Sequence, residues 1–110
     1  MEVDASASQR AGWPSALTLS DNQSLEFDGV DVVDLAKKHG TPLWAISQST
    51  IESNFIEIRD SFRKYYENVE IAYSVKANNT FAVIRLLQSL GALIDCSAEY
   101  EFDLALEAGV

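Results

Sequence analysis

Residues 69–79 read Val-Glu-Ile-Ala-Tyr-Ser-Val-Lys-Ala-Asn-Asn, an apolar run that ends on one lysine, Lys76. β-Branched and aromatic side chains make up much of the run and polar residues flank it on both sides, a pattern typical of a buried strand. We therefore expect Lys76 at the carboxyl end of a strand. Position alone leaves two hypotheses open: Lys76 is an amine nucleophile, or it is a solvated surface lysine, as most lysines are.

The sequence after Lys76 alternates between helical and strand patterns. A helix is predicted from its capping residue Thr80 to Gly91. A second apolar strand is predicted at residues 92–96 and a further helix at residues 98–108. Continuous apolar strands that alternate with helices are typical of an α/β protein with a parallel sheet. Because two such units leave the edges of their sheet uncovered, we expect the chain to be the amino-terminal piece of a larger protein.

Residues 24–68 are predicted to lead into this repeat, and residues 1–23 to form an irregular arm rich in Ser, Ala and Asp. The lead-in is expected to contain a strand at Ser24–Phe27, a helix at Val30–His39, a strand at Leu43–Ile46, and a helix that begins with a capping box of Ser49 and Glu52. His39, the one histidine, falls in the last turn of its helix. A cation is favourable there, so we interpret His39 as a helix-terminal residue and predict no metal site.

The composition narrows the classes of partner. The 110 residues carry 17 acidic and 8 basic side chains, a net charge of −9, which argues against a nucleic-acid partner. No apolar run is long enough to predict a membrane span. Residues 1–8 lack the apolar core of a secretory signal, so we expect a cytoplasmic protein. The single cysteine, Cys96, cannot form an internal disulfide, which agrees with a reducing compartment, and we interpret it as a small buried apolar side chain.

The chemistry is expected at the carboxyl ends of the two predicted strands, where functional side chains gather in parallel α/β proteins. Lys76 and Asp95 both fall there, and neighbouring strands would bring them within about 5 to 10 Å of each other. Partial burial lowers the pKa of an ammonium group and frees a lone pair that can condense with a carbonyl. Asp95 and Glu101 would then be acids close to a charged Schiff base. For Asp95 an alternative stays equally open, namely that it caps the helix beginning near Ala98.

Four motifs carry a resemblance to a known family. Ile71–Asn78 resembles the Tyr-Ala-Val-Lys-Ala-Asn signature of the fold-type III pyridoxal-phosphate decarboxylases, the group of diaminopimelate, ornithine and biosynthetic arginine decarboxylases. Gly40–Trp44 looks like that family's Gly-Thr-Pro-Leu-Tyr stretch, and Leu90–Ala92 like its Leu-Gly-Ala helix end. Asp95–Glu101 looks like its Asp-x-x-Ser-x-x-Glu element. The order and spacing of the matches within residues 29–110 make the resemblance specific.

The resemblance implies a fold and a cofactor. Residues 69–110 would be the first two βα units of an alanine racemase-like (β/α)8 barrel of the TIM type, preceded by N-terminal elements of a second, β-rich domain. The family lysine that matches Lys76 carries pyridoxal 5'-phosphate as an internal aldimine. The acids that match Asp95 and Glu101 lie beside that lysine and the cofactor.

Two positions depart from the family pattern. The family serine falls on Ala98, whereas this chain has a serine one place earlier, at Ser97. Either Ser97 contacts the cofactor in place of the lost hydroxyl, or the cofactor is positioned differently here. Ser74 stands where alanine is common, which is a minor change.

The function implied by the resemblance is pyridoxal-phosphate-dependent decarboxylation of diaminopimelate or a basic amino acid, in lysine or polyamine biosynthesis. We expect a full-length homodimer that acts on a small-molecule amino-acid substrate and binds neither nucleic acid nor membrane. The 110-residue piece alone is expected to be inactive, because the phosphate-binding loop and second domain would lie beyond Val110. Two alternatives stay open: a non-catalytic homologue that keeps the barrel as a binding or regulatory module, and an amino-acid racemase.

Overall fold

The computed structural model describes residues 12–110, and the chain divides between Thr50 and Ile51 into two compact units. The division falls inside the helix Gln48–Arg63. Ile51 and Phe55 of this helix pack with side chains of the second unit. The predicted boundary between lead-in and barrel units, after residue 68, stays a prediction. Each unit is described by itself.

The first unit contains a three-stranded antiparallel sheet in the order β1 (Leu17–Leu19), β2 (Leu25–Phe27) and β3 (Val30–Asp31). Strand β1 lies inside the predicted irregular arm, so that prediction is wrong for residues 17–19; residues 1–11 of the arm lie outside the described residues. The strand forms because Leu17 and Leu19 alternate with a polar residue and pair with Phe27 and Leu25.

Helix α1 (Val32–His39) follows β3 directly. Asp31 caps it, since its Oδ1 accepts hydrogen bonds from the N–H groups of Val33 and Asp34 at 2.8 and 3.1 Å. The helix was predicted to begin at Val30, but Val30 and Asp31 pair with β2 instead. Its last turn is basic and contains His39, which confirms the predicted helix-terminal position.

The predicted strand at Leu43–Ile46 is wrong. The segment is irregular, and Trp44 is 96% exposed. Apolar residues alone do not make a strand, because a strand also needs a partner for its backbone hydrogen bonds, and the described strands of this unit pair only with one another.

Helix α2 (Gln48–Arg63) begins earlier than predicted. The buried Ser47 provides the cap, because its Oγ accepts the Thr50 N–H at 3.0 Å. Ser49 therefore does not cap the helix, and the predicted capping box with Glu52 is wrong. Ser49 instead donates to Asp28 Oδ1 at 2.6 Å, and Ser47 Oγ donates to Asp28 Oδ2 at 3.1 Å.

The second unit repeats strand, helix, strand, helix, as predicted. Its elements are β4 (Ala72–Ser74), α3 (Phe81–Ser89), β5 (Leu93–Asp95) and α4 (Glu99–Ala108). The two strands are parallel neighbours in which Ala72, Tyr73 and Ser74 pair with Leu93, Ile94 and Asp95. The strands are shorter than the apolar runs that predicted them.

Two apolar clusters cover one face of the parallel sheet. The first contains Phe55, Val83, Leu87 and Ala92, with Tyr73 packed against it, and the second contains Val75, Ile84 and Ala108, with Ile94 and Cys96 packed against it. Successive side chains of a strand point to opposite faces. Because Tyr73 and Ile94 point toward the clusters, Ser74 and Asp95 belong to the other face.

Candidate active site

Lys76 lies in a single turn of 3-10 helix, Val75–Ala77, directly after β4. Val75 anchors this turn, because it is fully buried against Ile84 and Ala108. The Lys76 side chain is exposed. The predicted position of Lys76 at the end of the strand is confirmed. The expected partial burial of its amine is not found in the described chain, because Val75 and not Lys76 points into the core.

Asp95 is the last residue of β5 and pairs in register with Ser74, two residues before Lys76. The predicted neighbouring strands are thus confirmed, and the same sheet edge carries the amine and the carboxylate. Within residues 12–110, Asp95 forms neither an ion pair with Lys76 nor a side-chain hydrogen bond that caps α4. The capping interpretation of Asp95 is therefore wrong, and its exposed carboxylate is available at the site.

Two hydrogen bonds fix the loop after Lys76. The Tyr73 hydroxyl donates to the Asn78 carbonyl at 3.0 Å, and the Asn78 side-chain oxygen accepts the Thr80 N–H at 2.9 Å. Burial raises the pKa of Tyr73, so the phenol keeps its proton and acts as the donor. The backbone on both sides of Lys76 is therefore held, so the position of the Lys76 Cα is fixed relative to the sheet.

Glu101 is 3% exposed, a rare burial for a carboxylate. One of its oxygens accepts the Ser97 N–H at 2.6 Å, and the other accepts the Tyr100 hydroxyl at 3.3 Å. The negative charge of Glu101 raises the pKa of Tyr100. Glu101 therefore braces the loop between β5 and α4, and within the described chain it forms no ion pair with Lys76.

Ala98 is the N-cap residue of α4 and has no side chain that could cap the helix. A side chain further along the helix takes over part of this role. The Glu101 carboxylate accepts a hydrogen bond from the backbone N–H of Ser97, the residue before Ala98. The Ser97 residue is exposed at this edge of the site. Its contact with a cofactor stays a prediction.

Sequence reasoning missed Ser74. Its Oγ is buried, yet it has no hydrogen-bond partner among the residues that the structure describes. The signal was present in the sequence as a serine at a position where alanine is common, but a hydroxyl on an apolar strand gives no hint that it lacks a partner. Tyr73 was likewise included in the apolar run without its role in holding the loop.

Parallel βα units with a lysine and a carboxylate at the carboxyl edge of the sheet define a class of α/β proteins with a site at the strand ends. The comparison with protein families narrows the class. The family described as "Pyridoxal-dependent decarboxylase, pyridoxal binding domain" matches residues 48–110, and the chain belongs to this family. The predicted family is thus confirmed, and pyridoxal phosphate is confirmed as the cofactor of the domain.

Curated relatives agree with this assignment. The chain is 34% identical over 93 residues to diaminopimelate decarboxylase of Methanothermobacter thermautotrophicus, a match covering 84% of the chain and 22% of the relative. It is 36% identical over 86 residues to the Aquifex aeolicus enzyme of the same name, covering 78% and 20%. The chain thus spans about a fifth of the length of these relatives.

Solved structures confirm the predicted α/β fold, the beginning of a TIM-like barrel. Diaminopimelate decarboxylase from M. jannaschii in complex with L-lysine superposes with a TM-score of 0.72 at 31% identity, covering 87% of this chain and 23% of that one. A protein from Aquifex aeolicus, AQ1208, gives a TM-score of 0.68 at 36% identity, covering 86% and 23%. The antiparallel sheet of β1–β3 agrees with the expected elements of a second, β-rich domain.

No helix within residues 12–110 is long and apolar enough to cross a membrane. No group of three or more His, Cys, Asp and Glu side chains in that part of the chain is arranged to hold a metal ion.

Proposed function

We propose that the full-length protein is a pyridoxal-phosphate-dependent decarboxylase of diaminopimelate and that Lys76 holds the cofactor covalently. The observation that carries the proposal is the position of Lys76, which follows strand β4 at the sheet edge where Asp95 ends the next strand. The substrate follows from the relatives, which are named diaminopimelate decarboxylases, and from the L-lysine in one solved structure, since lysine is diaminopimelate less one carboxyl group.

The residues present fit the cofactor. Pyridoxal phosphate is an aldehyde that joins a primary amine, and Lys76 presents an exposed amine on a backbone held by Val75 and Tyr73. Asp95 places an exposed carboxylate on the neighbouring strand end. The buried Oγ of Ser74, on the sheet face that also carries Asp95, lacks a hydrogen-bond partner within the described chain. An amine, an acid and an unsatisfied hydroxyl therefore belong to residues at the same edge of the sheet.

Each residue contributes a separate part of the chemistry. Lys76 supplies the amine that binds, and its compact ammonium can carry or release a proton at Nζ. Asp95 supplies a negative charge that stabilises positive charge developing at the lysine nitrogen. Glu101 fixes the Ser97 backbone and so sets where the loop after β5 runs. When bound, the pyridoxal ring supplies an electron sink for the electron pair left by the departing carboxylate.

The remaining assignments form part of the same proposal. We place Ser97 and Glu101 near the cofactor, with Ser97 at the exposed edge and Glu101 as the brace behind it. A homodimer in the cytoplasm is proposed for the full-length protein; the unpaired thiol of Cys96 fits a reducing compartment.

The test uses full-length protein with added pyridoxal phosphate. Release of carbon dioxide is measured from diaminopimelate, ornithine and arginine, for wild type and for Lys76→Ala, with Lys64→Ala as the matched control from the same unit. The proposal expects a visible absorption band and turnover of diaminopimelate, both lost in Lys76→Ala and kept in Lys64→Ala. Bound cofactor without turnover would support the non-catalytic alternative, and racemisation without carbon dioxide release would support the racemase.

A further inference from the structure

Ser74 carries a hydroxyl that the described structure leaves without a hydrogen bond. Its Oγ is buried from solvent and finds no partner within residues 12–110. Buried polar groups in proteins are nearly always hydrogen-bonded, and an unmade bond is unfavourable, so each exception calls for an explanation. A partner outside the described chain is the simplest one.

The place of Ser74 in the sheet narrows the identity of that partner. Ser74 ends strand β4, and Lys76 follows two residues later in the 3-10 turn. Tyr73 and Val75, on either side of Ser74, point into the two apolar clusters. The serine therefore belongs to the face that the clusters do not cover.

The nearest candidate within the chain does not satisfy the hydroxyl. Asp95 lies beside Ser74 in register on the neighbouring strand, and its carboxylate could accept a hydrogen bond. The Ser74 Oγ nevertheless has no partner, so this pair is not formed. The hydroxyl is left beside the two groups, Lys76 and Asp95, that the proposed function assigns to the cofactor.

We propose that the Ser74 hydroxyl donates a hydrogen bond to the pyridoxal cofactor held on Lys76, and so helps to position it. The inference rests on the proposed function, because it needs the cofactor at Lys76. Beyond the proposed function, it assigns to Ser74, the last residue of β4, a direct contact with the cofactor.

The experiment measures the dissociation constant of pyridoxal phosphate from the full-length protein by absorbance or fluorescence titration. Ser74→Ala removes the hydroxyl, and Ser74→Cys keeps the volume with a much weaker donor. Ser89→Ala is the matched control, because its hydroxyl donates to the Leu86 carbonyl on the surface of α3. One neutral hydrogen bond corresponds to a change of roughly 2- to 12-fold in affinity.

We expect both Ser74 variants to bind the cofactor roughly 2- to 12-fold more weakly and to shift the visible band of the bound cofactor, with Ser89→Ala unchanged. The melting temperature of the cofactor-free protein should not fall in Ser74→Ala, because an unsatisfied hydroxyl is lost. Unchanged affinity in both Ser74 variants, or a lowered melting temperature of the cofactor-free Ser74→Ala protein, would overturn the inference, since the hydroxyl would then bond to protein. If wild type binds no cofactor, the proposed function fails first and this inference with it.

Discussion

Replacing Glu101 by glutamine should loosen the loop between β5 and α4. The carboxylate is 3% exposed and accepts the Ser97 N–H at 2.6 Å. A hydrogen bond to a charged group contributes about 1.5 to 3 kcal/mol, and a neutral one about 0.5 to 1.5 kcal/mol. Glutamine keeps the shape and an acceptor oxygen but not the charge, so the loop should lose about 1 to 1.5 kcal/mol of local stability.

The assay is amide hydrogen exchange of the full-length protein, which reports local opening rather than global unfolding. A loss of that size accelerates exchange of the Ser97 amide by about 5- to 12-fold. Glu99→Gln is the matched control, because Glu99 is an exposed acid in the same first turn and has the same interaction with the helix dipole. Equal exchange in Glu101→Gln and wild type, or an equal effect of Glu99→Gln, would refute the bracing role of Glu101.

The same variant has a second readout. The charge of Glu101 raises the pKa of Tyr100, because a nearby carboxylate opposes formation of the phenolate. Glu101→Gln should therefore lower the pKa of Tyr100, as followed by an NMR titration of the tyrosine ring. Since the raised pKa belongs to the folded state, its contribution to stability is present below the ordinary tyrosine pKa and is lost as the pH rises through the raised value.

Two further predictions concern α2: the packing of its apolar side and the hydrogen bonds at its start. Phe55→Ala should lower the free energy of unfolding by about 3 to 5 kcal/mol, because Phe55 is buried in the first cluster, whereas Ile56→Ala, at a 40% exposed position, should cost much less; urea unfolding measures both. The Ser49 hydroxyl lowers the pKa of Asp28, so the carboxylate's contribution to holding the start of α2 is present above the unfolded pKa near 3.8 and is lost as the pH falls through the lowered value. Hydrogen exchange at the start of α2 should accelerate on acidification in wild type, and Asp28→Asn should remove that pH dependence.

The second unit was largely predictable from its sequence. Its two apolar runs form neighbouring parallel strands, and the helix predicted at residues 98–108 is present as α4, which ends where Gly109 adopts a left-handed conformation at φ 93°. Such features are local, so a short window of sequence contains the necessary information. The lysine at the end of the first strand follows from the same local pattern.

The failures involve contacts between residues that the local pattern does not connect. Leu43–Ile46 has the composition of a strand but no strand partner, and pairing depends on the fold around it. Ser47 rather than Ser49 caps α2, and Ser49 bonds to Asp28 from a distant turn. The lack of a partner for the Ser74 hydroxyl could not be predicted, because it depends on the positions of all donors and acceptors around it in the folded chain.

The central claim is that Lys76 holds the cofactor, and one measurement tests it most directly. Full-length protein is loaded with pyridoxal phosphate, reduced with borohydride to make the bond between lysine and cofactor permanent, digested, and analysed by mass spectrometry. The position of Lys76 after β4 predicts that the added mass of the reduced cofactor lies on the peptide containing Lys76. Its attachment to any other lysine, or no attachment to protein that has bound the cofactor, would contradict the account.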